Sequence, residues 1–155
     1  MINALPLTDR NLIVTGYTGP NQPRVGQMAA ERLGMAFLNL EVQLAERVGL
    51  PPDEVRAFYG ESRLKSLEAE LVQEARLRRQ TVIRLSARTL MVDAHRIMLS
   101  GTGPVVCLVT TLDAALRRMH IAMGGRYADP NERAREIGEL KREWSVRGLE
   151  NVIDL

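Results

Sequence analysis

Three residue types that often carry chemistry are scarce here: the sequence has one cysteine, two histidines and two lysines. A single cysteine excludes an internal disulfide framework. Cys107 lies inside the apolar run Val105-Val106-Cys107-Leu108-Val109, where a thiol packs as a small hydrophobe. With only His95 and His120 available, a Cys/His metal cluster is not expected. Lys65 and Lys141 are the only lysines, so nearly all positive charge is arginine. That bias reads as codon usage rather than function, although guanidinium groups suit phosphate and carboxylate recognition. Net charge is only +2, too little to imply nucleic-acid binding by itself. No apolar run approaches the roughly 20 residues of a membrane span. The first ten residues carry no signal-peptide pattern, so the cytoplasm is the expected compartment and a membrane is not an expected partner. Internal repeats, linkers and low-complexity segments are absent too.

What is present describes an ordinary globular domain. At 155 residues, with 45% hydrophobic and 26% charged residues, the chain fits one domain, 1–155, with a core of its own. Strand-like runs at 11–15, 35–40, 81–85, 105–109 and 151–154 alternate with helical patterns. These patterns cover a helix carrying Val25, Met28, Ala29 and Leu33, then 42–48, 52–59, 61–78, about 90–99, 112–121 and 131–144. Alternation of this kind predicts an α/β three-layer sandwich around a parallel sheet of about five strands, covered on both faces.

In such folds the turn between the first strand and the first helix is where phosphate binds. Here it reads Gly16-Tyr17-Thr18-Gly19-Pro20-Asn21-Gln22-Pro23, followed by Arg24. Against the phosphate-loop form GxxxxGK[ST], Gly16 matches the first glycine. Asn21 replaces the second, Gln22 the lysine and Pro23 the serine or threonine. Gln22 brings no charge to the phosphates. Pro23 has neither a hydroxyl for Mg²⁺ nor a backbone N–H for the phosphate. The simpler reading of the same residues is a helix start, with Asn21 as its cap and Pro23 in its first turn.

Several further segments, in order, resemble the shikimate kinase family. The stretch Gly16 to Gly26 is similar to that family's opening G-x-x-G-x-G-K-S-T-V-G, and Ala30-Glu31-Arg32-Leu33-Gly34 to its passage into the second strand. Gly60-Glu61 through Glu68 resembles G-E-x-x-F-R-x-x-E. Gly103-Pro104-Val105-Val106 and Val152-Ile153-Asp154 resemble the entries to the fourth and last strands. The resemblance runs from about residue 11 to 155 and implies a P-loop kinase fold.

Position by position, the resemblance also marks what has changed. The family's D-x-D pair, whose first aspartate organises Mg²⁺ and whose second contacts the substrate hydroxyl, falls on Asn39 and Glu41. Glu41 can still accept a ligand hydroxyl. Equally, it is a first-turn helix acid favoured by the dipole. The substrate-carboxylate arginines fall on Lys65 and on Arg142, with Arg147 the alternative for the second. The triple-glycine substrate loop is Ser86-Ala87-Arg88, which puts side chains where the ligand ring lies and disfavours shikimate. Gly124-Gly125 reads as the hinge of the lid, with Arg126 its arginine, while Arg117 and Arg118 read as a solvated helix face.

One charge belongs to this sequence and not to the family pattern. Arg84 falls within the third strand, where alternation puts it on the same side as Ser86. A cation there needs a partner or a cavity. Internal neutralisation by Glu41, Glu61 or Glu68 is the first expectation; an electropositive pocket with Arg24, Lys65 and Arg88 is the other. The functional expectation is therefore a non-catalytic kinase-like domain with weak or absent ATP and Mg²⁺ binding, holding a small anionic ligand or a protein partner. The alternatives are an active divergent small-molecule kinase that uses Arg24, and a purely structural interaction protein.

Overall fold

Five short apolar runs become the five strands of one wholly parallel sheet. The computed structural model describes residues 9–16, 22–109, 111–146, 148–149 and 152–154. In chain order the elements are β1 (Leu12–Gly16), α1 (Gln22–Leu33), β2 (Ala36–Asn39), α2 (Leu40–Val48), α3 (Pro52–Tyr59) and α4 (Glu61–Ala75). They continue with β3 (Thr81–Arg84), α5 (Ala87–Leu90), α6 (Asp93–Ser100), β4 (Val105–Leu108), α7 (Leu112–Met123), a 3₁₀ turn (Gly124–Ala128), α8 (Pro130–Trp144) and β5 (Val152–Asp154). The strand order is β2-β3-β1-β4-β5. One row across the sheet sets Asn39 beside Arg84, Arg84 beside Val14, Val14 beside Val106 and Val106 beside Ile153. Among the described residues no helix is long and apolar enough to cross a membrane.

Because side chains alternate along a strand, each strand feeds two layers. On one face Ile13, Leu38, Ile83, Leu85, Val105 and Cys107 pack against Leu40, Leu44, Val55, Leu64, Leu67 and Leu71 of α2, α3 and α4. On the other, Val14 and Val82 meet Ala30 of α1, with Leu12, Phe37 and Leu108 at the margin. Cys107 is fully buried in the first layer, as its apolar neighbours require. The close approach of β1 to the start of β4 depends on Gly103. A Cβ there would lie 1.8 Å from the Asn11 carbonyl oxygen, well inside contact distance.

One helix docks through residues that its apolar pattern does not mark, and one helical expectation needs correction. The apolar residues that mark α1 do not face the sheet: Val25, Met28 and Leu33 are exposed, and α1 docks through Gly26 and Ala30 instead. Small residues let the helix axis come close, so the larger ones point away. The helix expected near 90–99 is two pieces, α5 and α6, separated at Met91-Val92. Two buried side chains donate to carbonyls at that break. His95 donates from Nδ1 to the Thr89 carbonyl at 2.9 Å, since a carbonyl only accepts, and Arg96 donates to the Leu90 carbonyl at 3.2 Å.

Candidate functional site

At the C-terminal end of β2 and β3 the chain turns into α2 and α5, and α3, α4 and α8 close around the space between them. The result is a cleft of about 230 Å³. Its apolar part is Leu40, Leu44, Pro51, Pro52 and Leu71. Its polar part holds four carboxylates (Glu41, Glu68, Glu136, Glu139), three guanidiniums (Arg56, Arg88, Arg135) and the hydroxyls of Ser86 and Thr89. The position, beyond the carboxyl ends of parallel strands, is where open α/β sheets hold ligands.

Local sequence explains how each wall arises. Ser86 ends the extended run and caps α5, its oxygen accepting from the Thr89 N–H at 3.3 Å. The first turn of α5 then projects Arg88 toward α4. There Arg88 donates to Glu61 at 2.9 Å and to Glu68, while Glu68 also accepts from the Thr89 hydroxyl at 2.7 Å. Gly60, at φ 89°, turns α3 directly into α4, a backbone angle that suits glycine. That turn brings Arg56 Nε to 2.6 Å from Glu61. Glu61 is thus shared by two guanidiniums. Burial lowers the pKa of Arg88, and the nearby Arg56 cation lowers it further, against the opposing pull of Glu61 and Glu139.

Of the residues marked in the sequence, the structure brings Glu41 and Arg88 to the cleft. Arg84 does not join them. Alternation runs on through Leu85, which packs on the face of Ile83, and Ser86 then turns into the cap of α5 at the cleft rim. Arg84 instead shares with Asn39 and Phe37 the face that carries α1, with a side chain only 3% exposed, and its Nη1 lies 2.9 Å from Glu41 Oε2. Internal neutralisation, by Glu41 for Arg84 and by Glu61 and Glu68 for Arg88, is the arrangement found. Lys65 and Arg24 are exposed and are not among the residues that line this cleft, so the electropositive pocket that was the second expectation is not what these described residues build here. Arg142 is 62% exposed and pairs with Glu139 at 2.5 Å, outside the lining.

Gly124 breaks α7 as expected, and Arg126 is exposed in the 3₁₀ turn that follows. That turn is tied to its neighbours. Tyr127 stacks on His120 with ring centroids 3.8 Å apart, and Arg133 sits over Tyr127 while donating to its carbonyl at 3.2 Å. In the phosphate turn Gly16 ends β1, and Gln22 and Pro23 open α1. Gly19, Asn21, the side chains of Gln22 and Pro23, and Arg147 lie outside the described residues.

Arg56, Glu136 and Glu139 are cleft residues that sequence reading missed. The α8 pair carried a usable signal, since positions three apart share a helix face. Arg56 carried none, because its place depends on the turn at Gly60.

Comparison with known proteins agrees with this architecture. A shikimate kinase family model matches residues 23–153. The shikimate kinase of Geobacter sulfurreducens is 30% identical over 116 residues, covering 75% of this chain and 64% of that protein. That of Moorella thermoacetica is 31% identical over 108 residues, covering 70% and 62% respectively. The chain therefore spans a little under two thirds of the length of these curated relatives. Among solved structures, shikimate kinase from Bacteroides thetaiotaomicron superposes with a TM-score of 0.77 at 21% identity, covering 94% of this chain and 85% of that one. Shikimate kinase from Acinetobacter baumannii in complex with shikimate gives 0.74 at 21%, covering 96% and 84%. Both share the fold. Since the family model extends from the first turn of α1 into β5, this chain belongs to the shikimate kinase family.

Proposed function

We propose that this member of the family does not transfer phosphoryl groups and keeps the cleft as a binding site for a small molecule. The observation that carries the reading is Arg88. At the position of the family's glycine loop, its side chain is bound across the cleft wall to Glu61 and Glu68. Ground that a substrate ring would occupy is held by an internal ion-pair network, which supports the loss of shikimate as ligand. The sequence adds Gln22, Pro23 and Asn39 in place of the phosphate-loop lysine, its hydroxyl and the metal-side aspartate. Phosphoryl transfer depends on positioning and electrostatic stabilisation, and one such group is worth roughly 10²–10³ in rate.

The lining also favours one kind of occupant. Carboxylates only accept hydrogen bonds. Arg88 already donates to Glu61 and Glu68, and Arg56 is ion-paired with Glu61. Glu136 makes no ion pair among the described residues, and Glu41 remains 40% exposed after pairing with Arg84. Glu41 and Glu136 thus offer acceptors to the cleft, against one loosely held guanidinium, Arg135, 3.9 Å from Glu132, so the cleft suits a neutral or cationic molecule rich in hydroxyl or ammonium groups better than the anion suggested by the sequence.

The test has two arms. A coupled ADP-release assay with MgATP and shikimate is expected to stay at background; turnover that Arg24→Ala abolishes would establish a divergent kinase instead. A thermal-shift screen of organic acids, phosphates, polyols and small amines is expected to find stabilisers among the last two. Arg88→Gly should change the ranking. Stabilisation chiefly by acids and phosphates would return the anion reading, and no response from any class would favour a protein partner.

A further inference from the structure

The D-x-D pair implies a divalent cation beside its first position, and the residues present do not fit one. Asn39 supplies an amide oxygen in place of a carboxylate. That oxygen accepts from the Glu41 N–H at 3.2 Å, capping α2, and faces Arg84 Nη1 at 3.4 Å. Glu41 Oε2 faces the same Nη1 at 2.9 Å. Both acceptors of the pair are turned toward one guanidinium. Hard divalent cations need oxygen ligands free to approach within about 2.0–2.6 Å. Among the described residues, no group of three or more His, Cys, Asp and Glu side chains is placed to hold a metal ion.

Arg84 is fixed where it stands. It follows Ile83 at the end of β3, pairs in register with Asn39, and lies beneath α1, where a Cβ on Gly26 would come within 3.8 Å of the Arg84 Cβ. Two of its neighbours, Asn39 and Glu41, sit where the family's carboxylate pair falls. We infer that Arg84 is a resident cation in the place of the divalent ion, and that it positions Glu41 without any metal. A cation added next to a buried guanidinium meets electrostatic repulsion, and among the described residues Glu41, already paired with Arg84, is the one carboxylate in contact with it to offset that. Glu41, held by one oxygen at Arg84 and partly exposed in the cleft, is then a metal-independent acceptor for a ligand's hydroxyl or ammonium group. Arg84 is a positioning residue: it acts on the cleft through Glu41.

The experiment uses Mn²⁺ alone, without nucleotide, so its outcome is separate from whether the chain turns over MgATP. Binding is read from loss of the free Mn²⁺ electron paramagnetic resonance signal, with circular dichroism as the check on folding. Wild type is expected to bind no Mn²⁺ above an inert-protein control. Asn39→Asp alone should also bind none, because the new carboxylate faces Arg84 and pairs with it. Asn39→Asp with Arg84→Ser removes the resident cation, and should bind Mn²⁺ at least tenfold more tightly than either. Mn²⁺ bound by wild type at one equivalent overturns the inference. So does Asn39→Asp binding as tightly as the double variant, since Arg84 would then not be what keeps the ion out. So does a folded double variant that gains nothing. If the double variant does not fold, the wild-type and Asn39→Asp measurements decide by themselves.

Discussion

Replacing Glu68 by glutamine keeps the shape of the side chain and removes its charge, which isolates the ion-pair network on the cleft wall. Glu68 is 12% exposed and accepts from both Arg88 and the Thr89 hydroxyl. An amide offers one acceptor and turns an N–H toward one of those donors. Hydrogen bonds to charged groups contribute about 1.5–3 kcal/mol each. Breaking a buried pair outright costs about 3–5 kcal/mol. Here the penalty is smaller, because Arg88 is 25% exposed and keeps Glu61. The expected loss is about 2 kcal/mol, near the middle of the charged hydrogen-bond range. At about 2–4 °C per kcal/mol for a chain of this size, Tm should fall by about 4–8 °C. Urea denaturation followed by circular dichroism measures it, with Arg88→Met and the double variant completing a cycle. The coupling energy should exceed about 0.5 kcal/mol, the level above which contacting residues depart from additivity. An unchanged midpoint for Glu68→Gln, or a strictly additive cycle, would refute the network as drawn.

Two further substitutions test the frame on which the cleft is built. Asn11→Ala removes a buried amide that donates to the Arg78 carbonyl at 2.8 Å and accepts from the Thr81 N–H at 3.1 Å. The Arg78 carbonyl keeps the Arg79 guanidinium at 2.7 Å, so the buried Thr81 N–H is the group left unpaired, and the urea midpoint should drop by the equivalent of about 1–3 kcal/mol. Gly103→Ala puts a methyl group against the Asn11 carbonyl, and overpacking costs of about 1–3 kcal/mol or more apply to a backbone contact that cannot rotate away. The variant should be less stable than Gly101→Ala, whose nearest neighbour is an ordinary contact at 3.5 Å; equal melting temperatures would contradict the close approach.

The sheet was legible in the sequence because buried parallel strands are uninterrupted apolar runs, and the phosphate turn and family segments follow in a fixed order. The cleft was legible only in part. Arg88 was found because it breaks a glycine pattern, and Glu41 because it stands in a motif. Arg84 stands out in the sequence as a charge within a strand, with Glu41 among its three candidate partners. That it faces α1 and stays out of the cleft lining depends on the packing of the helix over β2 and β3, which no local pattern shows. Lys65 was drawn toward the cleft by motif position, whereas the helical face is set by Leu64, Leu67 and Leu71, which are buried and turn Lys65 outward. Arg56 required a three-dimensional turn that no local pattern announces.

The strand order has a consequence for how the chain comes together. β1, the first strand among the described residues, lies at the centre of the sheet, and its partners β3 and β4 come much later. The Asn11 amide reaches across sequence separations of 67 and 70 residues to grip the start of β3. Closing a loop of that length has an entropic cost that grows with the logarithm of its size, and it must be met before any parallel pairing repays it. On a ribosome adding about 5–20 residues per second, β1 waits roughly 4–14 s for its first neighbour to be synthesised. During that interval Ile13 and Val14, fully and almost fully buried in the finished domain, have no sheet to enter. Pairing of the central strand waits on the arrival of β3, and β3 ends in the arginine that pairs with Glu41.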